Sequence, residues 1–233
     1  MRILLVSATP FEVKPVRDWL EENWSSKGLE RYIAGQTEVD LLYTGVGMTA
    51  TAYALGKCFS LKHYDLAINA GIAGAYHRDL RLGAVVQVVS ETFADLGAEQ
   101  ADGEFYDIFD LKLNDLDAVP FREGTLINEA AGEFAFLPPA KGLTVNKVHG
   151  YTPSIDRIRT RYPMADIETM EGAAFFYVCL MESVPFLAIR SISNYVEARN
   201  REAWDIPGAI RALNDVVKGL LEILAVQGRN VAG

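Results

Sequence analysis

Hydrophobic residues fall in two rhythms along this chain. Short continuous apolar runs read as buried strands, and they alternate with longer stretches whose apolar positions recur at helical spacing. Residues 2–8 form the first such run. Thr9-Pro10 then suits a helix start, and the helix is expected to reach about Trp24 with Val13, Val16, Trp19 and Leu20 on one face. Strands at about 29–34 and 37–44 are joined through Gly35-Gln36 as a hairpin, and an alanine-rich helix follows from about Thr49 to Leu61. Further strands are expected from Asp65 to Ala70, over 84–94, and near 124–128 and 142–148, with Pro138-Pro139 marking the loop between the last two. Helices are expected from Thr152-Pro153-Ser154 to about Tyr162 and from Gly172 to about Glu182. A strand runs from Phe186 to about Ser193, and an amphipathic helix from Pro207 to about Val226. Such alternation implies an α/β fold, a three-layer α/β/α single domain with a central mixed sheet. It would span residues 1–227, with 228–233 as a fraying tail. Residues 95–120 are polar and irregular but carry Phe105, Tyr106 and Phe109. Loops of this length are often lids or interface segments, and simple surface variability is the alternative.

Composition narrows the partners. The 233 residues are 50% hydrophobic and 23% charged, enough for a substantial core, and the formal net charge is -9. That balance argues against nucleic acid, whose backbone needs a basic surface. Cys58 and Cys179 sit in apolar, helical runs without metal-ligand spacing and read as buried, reduced thiols. No cluster of His, Cys, Asp and Glu suggests a metal, and His63 and His77 read as surface or loop residues. The apolar N-terminus is too short for a signal peptide, and no run reaches the ~20 apolar residues of a membrane span. The expected location is the cytoplasm, with no membrane partner.

The chemistry concentrates around Asp166-Ile167-Glu168-Thr169-Met170-Glu171-Gly172-Ala173-Ala174. A β-compatible run ends in carboxylates and passes straight into a helix, so Glu171 falls at the edge where open α/β sheets bind ligands. A carboxylate there can accept two hydrogen bonds from a vicinal diol such as a ribose. Equally, Glu168 and Glu171 could only favour the helix start electrostatically. Glu12 poses the same choice in the first turn of the first helix. Gly45-Val46-Gly47-Met48 either admits a ligand to a helix N-terminus or packs a tight turn. Asn69-Ala70-Gly71-Ile72-Ala73-Gly74 has neither the lysine of a P-loop nor the GxGxxG spacing. Candidates thus stand at the ends of separate strands: Glu12, the 69–74 loop, Met170-Glu171, and Arg190 to Asn194.

Taken in order, Ser7 to Val13, Thr44 to Gly47, Asn69 to Gly74, Thr169 to Ala173 and Ile189 to Asn194 resemble the purine nucleoside phosphorylase and nucleosidase superfamily. The likeness covers nearly the whole chain and is to the branch of methylthioadenosine/adenosylhomocysteine nucleosidases and futalosine hydrolases. Asn194-Tyr195-Val196-Glu197 with Arg199-Asn200-Arg201, and Thr144 to Gly150, look most like futalosine hydrolases. The resemblance implies a nucleoside phosphorylase/hydrolase-like fold, a small nucleoside substrate, no cofactor and a homodimer or larger homo-oligomer. It implies that Glu12 activates the attacking water and that Met170 and Glu171 meet the ribose. Gly71 and Ile72 line the site, and Asn194 faces N7 and the six-position of the purine. It implies cleavage of futalosine to hypoxanthine and dehypoxanthine futalosine in menaquinone biosynthesis.

Two departures from relatives narrow this further. Adenine-cleaving nucleosidases carry Asp where this chain has Asn194. A carboxylate accepts from an exocyclic amine, whereas an amide NH2 serves a carbonyl, so Asn194 argues for a 6-oxopurine unless it only satisfies local backbone. Phosphorylases place Arg in the first loop and Ser or Thr in the glycine-rich loop, where this chain has Ala8-Thr9-Pro10 and Gly71-Ile72-Ala73. Water is therefore the expected nucleophile. The alternatives are an adenine-releasing nucleosidase, a phosphorylase, or a non-catalytic nucleoside-binding module, which would need no base such as Glu12. Arg190 is either a buried structural arginine or the partner that orients Glu171 through a bidentate pair. Val148, His149 and Tyr151 follow the strand where relatives pack on the base, and Tyr151 could stack there or belong to the core. Residues 95–120 are expected to help form the 5′-side pocket.

Overall fold

The computed structural model describes residues 1–134 and 136–230. In chain order the elements begin β1 (Arg2–Ser7), α1 (Lys14–Asn23), β2 (Ser25–Ser26), β3 (Arg31–Ala34), β4 (Thr37–Tyr43), α2 (Met48–Leu61), β5 (Leu66–Ala75) and β6 (Val85–Phe93). They continue with β7 (Gly97–Glu99), β8 (Phe105–Asp107), β9 (Leu126–Ile127), β10 (Pro139–Thr144), α3 (Thr152–Arg161), β11 (Ile167–Thr169), α4 (Gly172–Met181), β12 (Phe186–Tyr195) and α5 (Ile206–Asn230). Among the described residues the strands build one large mixed sheet in the order β11-β10-β6-β12-β5-β1-β4-β3-β2, with β9 paired to β6, and a separate pair β7-β8. β4, β1, β5 and β12 run parallel at its centre. β11 also pairs back onto the end of β5, through Ile167↔Ala75 and Glu168↔Gly74. Strands β5, β12, β6, β10 and β11 therefore close into a ring.

Continuous apolar strands follow from burial on both faces. Leu4 and Val6 point into a core roofed by Leu55 of α2 and by Phe175, Phe176 and Cys179 of α4. Ile3 and Leu5 point into the opposite core, under Val16 and Leu20 of α1 and Leu213, Val217 and Leu221 of α5. A smaller cluster lies beneath Ile155 and Ile158 of α3. The expected three layers and mixed sheet are present.

Several expected boundaries move, each for a physical reason. α1 begins at Lys14 rather than near Pro10, because Pro15, not Pro10, occupies its first turn. The 69–74 segment is not a loop: β5 runs through it, paired with β12 from Ala67↔Phe186 to Tyr195↔Ala75. The strand expected over 142–148 lies at Pro139–Thr144, because its ladder to β6 begins at Pro139↔Gln87. The final helix runs past Val226 to Asn230, into the expected tail, whose last residues 231–233 lie outside the described residues. Within 95–120, β7 and β8 form a hairpin clamped by Arg161, which donates to the Phe105 carbonyl at 3.0 Å and to Asp107 at 2.8 Å. Phe109 packs edge-on against Phe121 at the margin of the core, so this aromatic serves packing.

One tie sets the approach to the first strand end. The residue preceding α1, Val13, offers no side-chain cap. Instead Asn214, from α5, accepts from the Val16 N–H at 2.9 Å and donates to the Glu12 carbonyl at 2.8 Å. A distant helix thus caps α1 and fixes the turn that carries Glu12. Asn214→Ala leaves both backbone groups without their partner and is expected to lower stability by about 1–3 kcal/mol. Chemical denaturation measures it, and a loss below about 0.5 kcal/mol, the scale of an ordinary surface change, would mean that α1 is capped in another way.

Candidate active site

Glu12 sits in the turn between β1 and α1, outside the helix, so the first-turn explanation for its presence does not hold. Its Oε2 accepts from the Ser7 hydroxyl at 3.3 Å, the Thr9 N–H at 3.1 Å and the Thr9 hydroxyl at 3.0 Å. Its Oε1 accepts from the Ile72 N–H of β5 at 3.2 Å. That approach requires a bare backbone beneath it. A Cβ on Gly71 would stand 3.1 Å from Glu12 Oε1 and 3.7 Å from the Arg190 guanidinium. Gly71 and Ile72 therefore lie against Glu12, the first by its lack of a side chain and the second through its backbone N–H.

Glu171 occupies the N-cap position of α4 but makes no cap bond to its own helix. Its Oε1 reaches across to accept from the Gly47 N–H at 2.8 Å. Gly47 has φ +94°, a left-handed conformation that suits glycine. The Gly45–Gly47 turn therefore holds the Glu171 side chain. Burial pushes the Glu171 carboxyl above its ordinary range and repulsion from Glu12 adds to this, while the Gly47 N–H and Arg190 oppose it. The two carboxylates thus feel one another. Met170, partly buried, lies between Thr169 and Glu171.

Arg190 is buried at 2% exposure. It donates to the Asn69 carbonyl and to the Ile189 carbonyl, each at 3.0 Å, and contacts the Asn69 side-chain oxygen. Among the described residues it makes no bidentate pair with Glu171, so that expectation is corrected in favour of the structural one. Burial lowers its pKa, and the nearby carboxylates of Glu91, Glu171 and Glu12 act against the shift.

Asn194 lies within β12 at a register shift and projects over Gly74, whose Cβ would stand 3.1 Å from the Asn194 amide nitrogen. The Ser193 hydroxyl donates to Asn194 Oδ1 at 2.9 Å, and Asn194 Nδ2 donates to the Tyr195 carbonyl at 3.1 Å. The local backbone contact is therefore real, yet it uses only one of two amide hydrogens. Glu168 sits in register with Gly74. It accepts from the Tyr76 hydroxyl at 2.8 Å and the His149 N–H at 2.9 Å, and contacts His149 Nδ1. Glu168 thus serves the loop after β10, not a helix start. Val148 in that loop is 37% exposed. Tyr151 is 68% exposed, which rules out its core reading.

The sequence reading missed Glu91, a fully buried acid on β6. Thr144 Oγ1 donates to it at 2.8 Å and Thr169 Oγ1 at 3.4 Å. Burial pushes its carboxyl up to about 7, against the pull of Arg190 and of both threonines. A lone Glu in a β-branched run carries no signal of such surroundings. A surface groove of about 390 Å3, lined by Thr92, Arg122, Leu143 and Met164 among others, lies apart from these groups; none of Glu12, Glu171, Arg190 or Asn194 borders it. The convergent side chains, not the groove, define the site.

Residues 2–224 match the model of the phosphorylase superfamily. A futalosine hydrolase of Streptomyces coelicolor is 36% identical over 190 residues, 79% of this chain and 79% of that protein. A futalosine hydrolase of Acidothermus cellulolyticus is 32% identical over 222 residues, 93% of this chain and 89% of that protein. The native structure of a futalosine hydrolase of Helicobacter pylori superposes with a TM-score of 0.76 at 14% identity, covering 95% of this chain and 97% of that one.

Glu91 makes stability depend on pH in a defined direction. Its folded-state pKa of about 7 lies above the ordinary 4.5. The stability it confers is therefore present at and below the ordinary value and lost as pH rises through about 7. Glu91→Gln cannot titrate. The stability of wild type relative to this variant is expected to fall by about 2–3 kcal/mol between pH 5 and 8. A pH-independent difference in urea unfolding would show that Glu91 does not carry a raised pKa.

Proposed function

The chain belongs to the phosphorylase superfamily, and from that premise we propose that it hydrolyses the N-glycosidic bond of futalosine. The names of the relatives from S. coelicolor and A. cellulolyticus point to futalosine as the substrate, and cleavage of its N-glycosidic bond gives hypoxanthine and dehypoxanthine futalosine. The observation that carries the reading is the convergence on β5. Glu12 lies against it at Gly71, and the amide of Asn194, on the neighbouring β12, lies beside it at Gly74. Glu171, at the start of α4, is held by one oxygen on the Gly47 N–H, and the charge of Glu12 acts on it.

Each group has a chemical role. Cleaving an N-glycoside builds positive charge on the sugar, which nearby carboxylates stabilise. Glu171 has one oxygen on the Gly47 N–H and keeps the other for the ribose hydroxyls. Glu12 takes the proton of the attacking water. The departing purine gathers electrons at N7 and, as a 6-oxopurine, presents a carbonyl. The spare N–H of Asn194 donates on that side, and the Ser193 hydroxyl orients the amide for it. Water is favoured over phosphate because the hydroxyls of Ser7 and Thr9 are engaged by Glu12, and Ile72 offers only a backbone N–H, also engaged. An adenine-releasing activity is disfavoured by the amide at position 194. The proposal includes a homo-oligomer and a cytoplasmic place in menaquinone biosynthesis.

Hypoxanthine release from futalosine in phosphate-free buffer tests the reaction, and a strict phosphate requirement would overturn hydrolysis. Glu12→Gln is expected to lower kcat by about 10²-fold or more with little change in KM, within the range of general-base catalysis. Near-normal turnover of the folded variant removes Glu12 from the chemical step. Asn194→Asp should move the ratio of kcat/KM for futalosine over aminofutalosine toward the amino substrate by about ten- to a hundredfold, the effect of one mismatched buried hydrogen bond. An unchanged ratio would mean that Asn194 does not read the base.

A further inference from the structure

Glu91 takes no part in the reaction just described, yet the ring of strands is built around it. Gly142 of β10 and Gly172 of α4 both lie against its carboxylate, and a Cβ at either would collide with it. Its hydroxyl partners lead onward. Thr144 Oγ1 accepts from the Ala173 N–H at 2.7 Å, and Thr169 Oγ1 accepts from the Gly172 N–H at 3.2 Å. A hydroxyl has one hydrogen and two lone pairs. Thr144 therefore gives its hydrogen to Glu91, Thr169 gives its own to Glu91 at 3.4 Å or to Thr144 at 3.2 Å, and each offers a lone pair to a free N–H at the start of α4.

Helix starts leave such N–H groups without intrahelical partners, and the N-cap side chain ordinarily takes one of them. Here the N-cap residue is Glu171, whose carboxylate is turned away to Gly47. The threonines supply the cap that Glu171 forgoes. Because Thr169 and Gly172 bracket Met170-Glu171, the short connection carrying Glu171 is pinned at both ends.

We propose that Glu91 is a positioning residue for the ribose-binding carboxylate, acting through Thr144 and Thr169 on the start of α4 so that Glu171 is free to face the sugar. This rests on the reading of Glu171 given above. Glu91 touches no substrate; its effect is on where Glu171 stands.

The readout is the preference, in kcat/KM, for futalosine over its 2′-deoxy analogue, because only the 2′-hydroxyl distinguishes them. Wild type is expected to prefer the ribonucleoside by about tenfold or more, the scale of one lost hydrogen bond to a charged group. A wild type without preference would remove the Glu171 reading and this proposal with it. Given that preference, Glu91→Gln is expected to reduce it by about tenfold, since small misplacements of a positioning group are costly. In a Glu171→Gln background Glu91→Gln should change it no further, as expected for two residues acting through one contact. A preference left intact in folded Glu91→Gln, whatever its kcat, overturns the proposal while leaving the Glu171 reading in place. Thr169→Ser keeps the hydroxyl and should behave as wild type, whereas Thr169→Val should match Glu91→Gln. If Glu91→Gln does not fold, the Thr169 pair decides. If Thr169→Val also fails while Thr169→Ser folds, the network serves the ring of strands as a whole and the proposal falls.

Discussion

β5 is crowded at two of its glycines, where an added Cβ would stand 3.1 Å from Glu12 at Gly71 and 3.0 Å from Val196 at Gly74. Glu12 comes from the turn after β1 and Asn194 from β12, and both rest on the bare backbone of β5, at Gly71 and Gly74. The strand itself is held by β1 and β12 along its flanks and by β11 at its end. A glycine-containing loop could also let a carboxylate come close, but it would not fix where that carboxylate stands. A paired strand does, which is the difference between a group being present and being held in a productive geometry. Neither glycine has a positive φ, so their use here is close approach and not backbone freedom.

The same arrangement governs charge. Arg190 is the cation facing Glu12, Glu91 and Glu171, and all three carboxylates act on it. Yet it is held by Asn69 and by backbone carbonyls, not by any of them. A bidentate pair with Glu171 would occupy both oxygens of the group meant to meet the sugar. Fixing the guanidinium elsewhere tempers the buried acids from a distance and leaves a Glu171 oxygen free. On the proposed reading the balance of these groups stays negative, which suits a reaction whose sugar becomes cationic.

Much of this was legible in the chain, and the failures have identifiable causes. Strands buried on both faces and helices with apolar stripes write their own patterns, so the layers and element order could be read. Glu12, Glu171 and Asn194 could be singled out as candidates because each lies in a run resembling a known family. The glycine-rich run at 69–74 was misread as a loop because close approach and turning demand the same residue. Pro10 and Pro15 both suit a helix start, and local pattern does not choose between them. Asn214 and Glu91 left no local trace, because their partners come from elsewhere: Asn214 caps a helix 198 residues away, and Glu91 meets threonines 53 and 78 residues on. The role of Arg190 depended on Asn69, 121 residues distant. Local sequence shows which residues can do chemistry but not what tertiary structure does with their hydrogen bonds.

The choice between water and phosphate turns on that same accounting. An anion needs several free donors, and the turn after β1 with the adjoining β5 backbone supplies a cluster of them. Here the hydroxyls of Ser7 and Thr9, the Thr9 N–H and the Ile72 N–H all close on Glu12. Phosphate entering this corner would meet a carboxylate at the focus of the donors, and like charges repel most where water is excluded. A neutral water is not repelled, and it can give a proton to the carboxylate that excludes phosphate. On the proposed reading Glu12 is thus both the base and the bar to the competing nucleophile, so hydrolysis needs no separate device for rejecting phosphate.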